Sequence, residues 1–137
     1  MSRAAESPVE ALHRFYYYLD ERRYEDMAAM MAPDGVWFRQ GTELRGPAEV
    51  LQALRLRAAD SSVRHVMANG FADVDAQGEA SVQIYQTVYK GDAALGEVPV
   101  APGPDSMSAV SARLRLGEGG LWQIVSLRSS RKFNFAG

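Results

Sequence analysis

A change in the spacing of apolar residues after Asp60 constrains the fold more than any other feature of the chain. Before it, apolar side chains recur every three or four residues, as on one face of an amphipathic helix. After it, apolar and polar residues alternate in long runs, as on strands with one buried face. Helices that precede a series of antiparallel strands predict an α+β fold in which the sheet curls over the helices.

The first helix has a clear start signal. Ser7 can cap it, Pro8 suits its first position, and Glu10 completes a capping box, which predicts a helix from about Pro8 to Glu21. A second, short helical pattern runs over residues 24–31 and is expected to end at Pro33. A third helix opens at Gly46-Pro47, with an apolar face of Val50, Leu51, Leu54 and Ala58.

Five strands are expected. Asp34-Gly35 indicates a turn, and the first strand follows at Val36–Arg39. The other four form two hairpins, which close at Asp75–Gly78 and Gly117–Gly120 and are separated by a long loop from Gly91 to Ser106. Alternation along the second strand places these side chains on one face: Val63, His65, Met67, Asn69 and Phe71.

Size and composition bound the function. The 137 residues are expected to form one domain, 1–137, and a net charge of −2 gives no reason to expect a nucleic-acid or membrane partner. No cysteine and only two histidines, His13 and His65, predict neither a metal site nor a cofactor. The N-terminus lacks the apolar core of a signal peptide, so a cytoplasmic location is expected.

Several segments resemble the nuclear-transport-factor-2-like, or cystatin-like, superfamily, and its SnoaL-like members in particular. They are Leu19–Asp26, Met30–Trp37, Leu44–Val50, Arg64–Asn69 and Gly120–Ile124. The resemblance covers nearly the whole chain. It implies a curved antiparallel sheet wrapped around N-terminal helices to form a cone with an internal pocket, and frequently a homodimer formed through the sheet.

Two residues are candidates for proton transfer. His65 lies near the start of a strand, where an imidazole can act as a general acid or base, or can be a hydrogen-bonded structural residue. Asp20 follows Tyr16 by one helical turn; it can equally cap the helix end or pair with a neighbouring arginine. The resemblance to scytalone dehydratase implies that Asp20 and His65 face the pocket as its catalytic Asp and one catalytic His.

The sequence also departs from its relatives. The second catalytic His of scytalone dehydratase corresponds to Gln86, which cannot shuttle a proton at neutral pH. A water-orienting Tyr of that family corresponds to Arg39, and the Tyr before its Asp corresponds to Leu19. In steroid isomerases of the superfamily, the base and the oxyanion-hole Tyr correspond to Arg39 and Phe15, which disfavours isomerase chemistry of the usual kind.

The remaining candidates would bind substrate. Tyr16, Asn69 and Gln86 are expected to hydrogen-bond a carbonyl, and Phe38 and Met67 to contribute to the pocket wall. Arg39 would bind an anionic or carbonyl-rich ligand if it points inward, although an arginine at a strand end is more often solvated.

The sequence is compatible with two functions. The first is a lyase, isomerase or cyclase without a cofactor, which acts by His–Asp acid–base chemistry on a small hydrophobic, hydroxylated or carbonyl-bearing substrate. Polyketide-, aromatic- and steroid-like compounds fit that description. The second is a noncatalytic ligand-binding or assembly subunit of the same fold. A basic C-terminal cluster, Arg128, Arg131 and Lys132, indicates a subunit contact or a solvated tail rather than nucleic-acid binding.

Overall fold

The structure is a computed structural model that describes residues 6–57, 59, 61–93 and 96–135. Its helices are α1 (Pro8–Asp20), α2 (Tyr24–Ala28) and α3 (Gly46–Leu54). Its strands are β1 (Met31–Arg39), β2 (Thr42–Arg45), β3 (Ser61–Val74), β4 (Glu79–Asp92), β5 (Pro104–Leu116) and β6 (Trp122–Asn134). A single 3₁₀ turn, Glu118–Gly120, joins the last two strands.

The six strands form one curved, unclosed sheet in the order β2-β1-β6-β5-β4-β3. All neighbouring pairs are antiparallel except β1 and β6, which are parallel. The helices pack on the inner face of this sheet, so the predicted α+β fold is confirmed. Both hairpins lie where the sequence placed them, although each strand is a few residues longer than expected.

The core forms where α1 crosses the sheet. Phe15 is fully buried there, with its ring edge-on to Tyr16 at 5.5 Å and to Trp37 at 5.4 Å between ring centroids. Alternate residues of β4 and β5 supply the opposite wall: Val82, Ile84, Val110, Ala112 and Leu114. This period-two burial is the pattern that the sequence predicts for strands with one buried face.

The start of α1 is as predicted. Ser7 Oγ accepts a hydrogen bond of 3.1 Å from the backbone N–H of Glu10, and Pro8 occupies the first turn. The helix ends at Asp20, one residue before the predicted end. The apolar face of α3 is confirmed for Val50 and Leu54, which are fully buried, whereas Ala58 lies outside the described residues.

The predictions for residues 29–45 were wrong in three places. Helix α2 ends at Ala28, and β1 begins at Met31, so Pro33 lies inside a strand rather than stopping a helix. Asp34-Gly35 is not a turn but a bulge, where the pairing of β1 with β6 shifts register. A β-carbon on Gly35 would lie 2.4 Å from the carbonyl oxygen of Ile124, so the close approach of β6 requires glycine there. Strand β2 was not predicted at all.

A second bulge changes the predicted face of β3. Asn69 has a φ of 57°, and the pairing of β3 with β4 shifts between Ala68 and Phe71. Val63, His65 and Met67 face inward as predicted, but the shift exposes Asn69 and Phe71 and turns Ala72 toward the core. A strict alternation cannot foresee this change of phase, because one extra residue moves every later side chain to the other face.

The predicted loop from Gly91 to Ser106 is shorter at both ends. β4 continues to Asp92 and β5 begins at Pro104, and Asp92 forms an isolated antiparallel bridge with Val100. Within the described ranges, no helix has the length and apolarity that crossing a membrane requires.

Candidate functional site

Asp20 and His65 meet at the end of α1. One carboxylate oxygen of Asp20, Oδ1, lies 2.6 Å from His65 Nδ1, and the other, Oδ2, accepts a hydrogen bond of 2.8 Å from the His65 backbone N–H. The two side chains are only 8% and 11% exposed. Two hydrogen bonds to one residue fix both the position of the strand and the orientation of the imidazole ring.

The sequence left open that Asp20 caps the end of α1 or pairs with Arg22 or Arg23, but both of its carboxylate oxygens contact His65 instead. Arg23 pairs with Asp26 at 2.9 Å, and Arg22 donates a hydrogen bond of 3.2 Å to the hydroxyl of Tyr24. A carboxylate in the last turn of a helix is disfavoured by the helix dipole. The contact of both carboxylate oxygens with His65 explains why an Asp occupies the last turn of α1.

The contact also decides which ring nitrogen is available. A carboxylate accepts hydrogen bonds and cannot donate them when ionised, so Nδ1 carries the proton that it shares with Asp20. In neutral His65 the lone pair is therefore on Nε2. An imidazole held in this tautomer presents Nε2 as the atom that can take a proton from a ligand.

His65 lines a cavity of about 340 Å³ between α1 and the inner face of the sheet. This volume lies at the lower end of the range of small-molecule sites. The buried part of the lining is both apolar and polar and comprises Tyr16, Leu19, Trp37, Gln86, Val88, Ser106 and Ser108. The exposed lining residues mark the mouth: Gln40, Lys90, Ser129 and Arg131.

Tyr16 contributes a hydroxyl group beside His65. The two ring centroids are 5.1 Å apart, and the Tyr16 side chain is almost fully buried. Burial, and to a smaller extent the negative charge of Asp20, raise the pKa of Tyr16 well above its ordinary value. The phenol therefore keeps its proton and can donate a hydrogen bond to a ligand at any physiological pH.

The raised pKa of Tyr16 predicts an alkaline loss of stability. Since the folded state holds this proton more tightly than the unfolded state, the contribution of Tyr16 is complete below about pH 10 and is lost as the pH rises further. We expect urea unfolding to show an extra loss of up to about 1.4 kcal/mol for each pH unit above that point, absent in Tyr16→Phe. Tyr17→Phe, an exposed neighbour, is the matched control. Equal pH dependence in wild type and Tyr16→Phe would contradict the burial argument.

Gln86 lies in the buried part of the cavity, and its side-chain oxygen lacks a hydrogen-bond donor. Its side chain is 7% exposed, and in the described part of the chain its Oε1 has no hydrogen-bond partner. Leaving a buried acceptor unpaired costs about 1–3 kcal/mol. An acceptor that faces a cavity is suited to a donor on a ligand, such as a hydroxyl group.

Cationic side chains collect around the same cavity. Arg39 stacks on Trp37 at 5.5 Å, and Arg57 donates hydrogen bonds to the carbonyl of Leu19 and the hydroxyl of Tyr24. Partial burial, and then the like charge of Arg57, lower the pKa of Arg39. The interpretation of Arg39 as a solvated strand end is therefore wrong, and it does not pair with Asp20.

The structure brings some candidate residues together and not others. Tyr16, Arg39, His65 and Gln86 line one cavity, and Phe38 reaches its rim while its ring stacks on Arg128 at 4.2 Å. Two binding predictions are contradicted, because Asn69 is exposed at the β3 bulge and Met67 packs against the core, and neither lines the cavity.

Several lining residues were missed by sequence reasoning. Ser106 and Ser108 occupy inward positions of β5, in phase with the buried Val110. A polar residue at an inward position of a strand was the signal that could have revealed them. Arg57 and Arg131 gave no such signal, since Arg57 follows the end of α3 and Arg131 belongs to a cluster expected at a subunit contact or in solvent.

A family model described as a SnoaL-like domain matches residues 7–128, which is most of the chain. The chain belongs to the SnoaL-like family. The fold of this family is one that supports small-molecule binding. The described residues of this SnoaL-like protein contain no group of three or more His, Asp or Glu side chains placed to hold a metal ion.

Solved structures show the same fold at low sequence identity. Aln2 from a Streptomyces species is 21% identical, with a TM-score of 0.74 over 93% of this chain and 94% of its own. A scytalone dehydratase-like protein from Novosphingobium aromaticivorans is 14% identical, with a TM-score of 0.75 over 92% and 82%. A protein from Catenulispora acidiphila in complex with S-DNPA is 19% identical, with a TM-score of 0.68 over 89% and 88%. No curated protein matches the sequence significantly.

Proposed function

We propose that this SnoaL-like protein is a cofactor-independent enzyme that transfers a proton on a small hydroxylated ketone, with His65 as the base and Asp20 as its positioning partner. The 2.6 Å contact between Asp20 Oδ1 and His65 Nδ1 at the edge of a ligand-sized cavity carries the proposal. The family and the ligand complex of a similar structure support small-molecule binding.

The first step uses the lone pair of His65. Nε2 takes a proton from the carbon next to the substrate carbonyl, and the electron pair of the broken C–H bond moves onto the carbonyl oxygen as an enolate. The hydroxyl of Tyr16, which its burial keeps protonated, donates a hydrogen bond to that oxygen. Asp20 stabilises the imidazolium that results.

The second step decides the reaction type. If the substrate has a hydroxyl group on the β-carbon, the imidazolium gives its proton to that oxygen, the C–O bond breaks and water leaves. If the substrate instead has a C=C bond next to the α-carbon, the proton returns to the far carbon of the resulting dienolate, and the double bond moves into conjugation with the carbonyl to give an isomer. By the resemblance to scytalone dehydratase, Gln86 replaces the second catalytic His. One imidazole then performs both transfers, and the Gln86 amide is left to orient the substrate.

Two probes test this proposal. In D₂O, β-tetralone should exchange its α-protons faster with the protein than without it, as followed by NMR. With 3-hydroxy-α-tetralone, loss of water gives α-naphthol, which is detected by its fluorescence. Binding of both ketones without exchange or dehydration would favour the alternative, a noncatalytic ligand-binding or assembly subunit.

A homodimer through the sheet is the second part of the proposal. On the outer face of the sheet, a row of neighbouring side chains crosses four strands: Val66, Thr87, Met107 and Phe133. Tyr85 and Tyr89 flank this row and are exposed, as are Val66 and Phe133. An apolar surface that crosses a sheet is typical of a protein interface, and the low net charge opposes association little.

We expect light scattering to give a mass of twice 15.0 kDa for the wild type and a shift to the monomer for Tyr85→Glu. A buried carboxylate without a partner strongly disfavours association. Tyr17→Glu is the matched control, since Tyr17 is also exposed but lies on α1. A monomeric wild type, or dimers with both variants, would contradict an interface on this face.

A further inference from the structure

The charge of the cavity is opposite to that of the chain. The protein carries a net charge of −2, yet four cationic side chains line this one cavity: Arg39, Arg57, Lys90 and Arg131. The carboxylate of Asp20 is engaged by both the ring and the backbone of His65, and the carboxylate of Asp105 lies 3.5 Å from Lys90, so neither neutralises the arginines. The cavity therefore presents an uncompensated positive charge to whatever binds in it.

Most of these cations lack an acidic partner. Lys90 lies 3.5 Å from Asp105, whereas Arg39, Arg57 and Arg131 form no ion pair with any described residue. Arg57 and Arg131 hydrogen-bond to neutral oxygens, of Leu19 and Tyr24 in one case and of Asn134 in the other. Guanidinium groups held this way keep their charge available for an anion.

The positions of these cations indicate how a ligand is oriented in the cavity. Arg131 and Lys90 are exposed at the mouth, Arg39 and Arg57 are half-buried, and His65 lies farther in. The unpartnered Oε1 of Gln86 independently indicates a ligand in the buried part of the cavity. A buried acceptor needs a hydrogen-bond donor, and no described residue donates to this oxygen.

We infer that the cavity selects a ligand with a carboxylate at one end, which lies against Arg131 at the mouth and the half-buried Arg39 and Arg57. The ligand has a hydroxyl or carbonyl group at its other end, beside His65 and Gln86. The inference rests on the proposed function only in placing the ligand in the same cavity. It adds a carboxylate to the substrate class and assigns specificity to Arg39, which is held in place by Trp37.

Cinnamate and cinnamamide test the inference directly, since they have the same shape and differ in charge. We expect NMR titrations, read from the Trp37 indole and cavity amides, to show cinnamate binding about ten- to a hundredfold more tightly. Arg39→Gln should reduce this preference to about a few-fold, and added NaCl should weaken the binding of cinnamate only. Arg128→Gln is the matched control, because Arg128 is exposed and stacks on Phe38 without lining the cavity.

Equal affinities for cinnamate and cinnamamide would overturn the inference and leave the proposed proton transfer intact. A lack of any cinnamate-induced shift at cavity residues would overturn it as well, since a cationic cavity that rejects an apolar carboxylate is not an anion site. Conversely, a carboxylate preference in a protein that exchanges no α-protons would keep the inference and exclude the enzyme.

Discussion

His65→Gln is expected to lower the rate of α-proton exchange by about 10²–10⁴-fold, the usual contribution of a positioned base. Glutamine has a similar size and keeps a hydrogen-bonding side chain, but it has no lone pair that accepts a proton at neutral pH. The backbone N–H of His65, which anchors Asp20, is unchanged by the substitution. The measurement is NMR exchange of β-tetralone in D₂O at several substrate concentrations, which separates kcat from KM.

His13→Gln is the control for this experiment. His13 is the other histidine of the chain and is exposed on α1, so the same substitution there should leave the exchange rate unchanged. Ketone binding by His65→Gln, read from the cavity amides, shows that the cavity is intact. Equal exchange rates in wild type and His65→Gln would mean that another group accepts the proton, and the assignment of His65 would fail.

The sequence predicted the fold well because the fold depends on periodicity. The capped start of α1 at Ser7 and the alternation in β4 and β5 each reflect a local rule that no distant contact overrides. The prediction from the sequence was wrong where two distant segments of the chain approach each other. Gly35 and Pro33 look like turn residues, but the passage of β6 beside Gly35 makes them a bulge within β1.

The site was predicted in part for the same reason. Asp20 and His65 are 45 residues apart, and their positions pointed to a shared pocket only through the resemblance to scytalone dehydratase. The bulge at Asn69 removed one predicted ligand contact, since it reverses the faces of the rest of β3. The charge of the cavity could not be predicted, because its cations come from β1, β4, β6 and the segment after α3, and only the folded sheet brings them together.

Asp20→Asn is expected to lower the exchange rate by about 10²–10⁴-fold as well, although the substitution removes no proton-accepting atom from the imidazole. In Asp20→Asn, the amide oxygen still accepts the hydrogen bond from the His65 backbone N–H. The NH₂ group of the amide then faces Nδ1 of the ring. Since NH₂ only donates, Nδ1 must then hold the lone pair, and the ring proton moves to Nε2. His65 can then no longer accept a proton on the side that faces the cavity.

The shift in tautomer gives this prediction a readout apart from activity. The ¹⁵N resonances of neutral His65 should identify Nε2 as the unprotonated nitrogen in the wild type and Nδ1 in Asp20→Asn, with His13 unchanged as an internal reference. Asp20→Glu retains the carboxylate, so partial recovery of both the tautomer and the exchange rate is expected. If Asp20→Asn keeps the wild-type tautomer and rate, Asp20 merely anchors the start of β3 through the His65 backbone, and the proton-transfer role of the pair is lost.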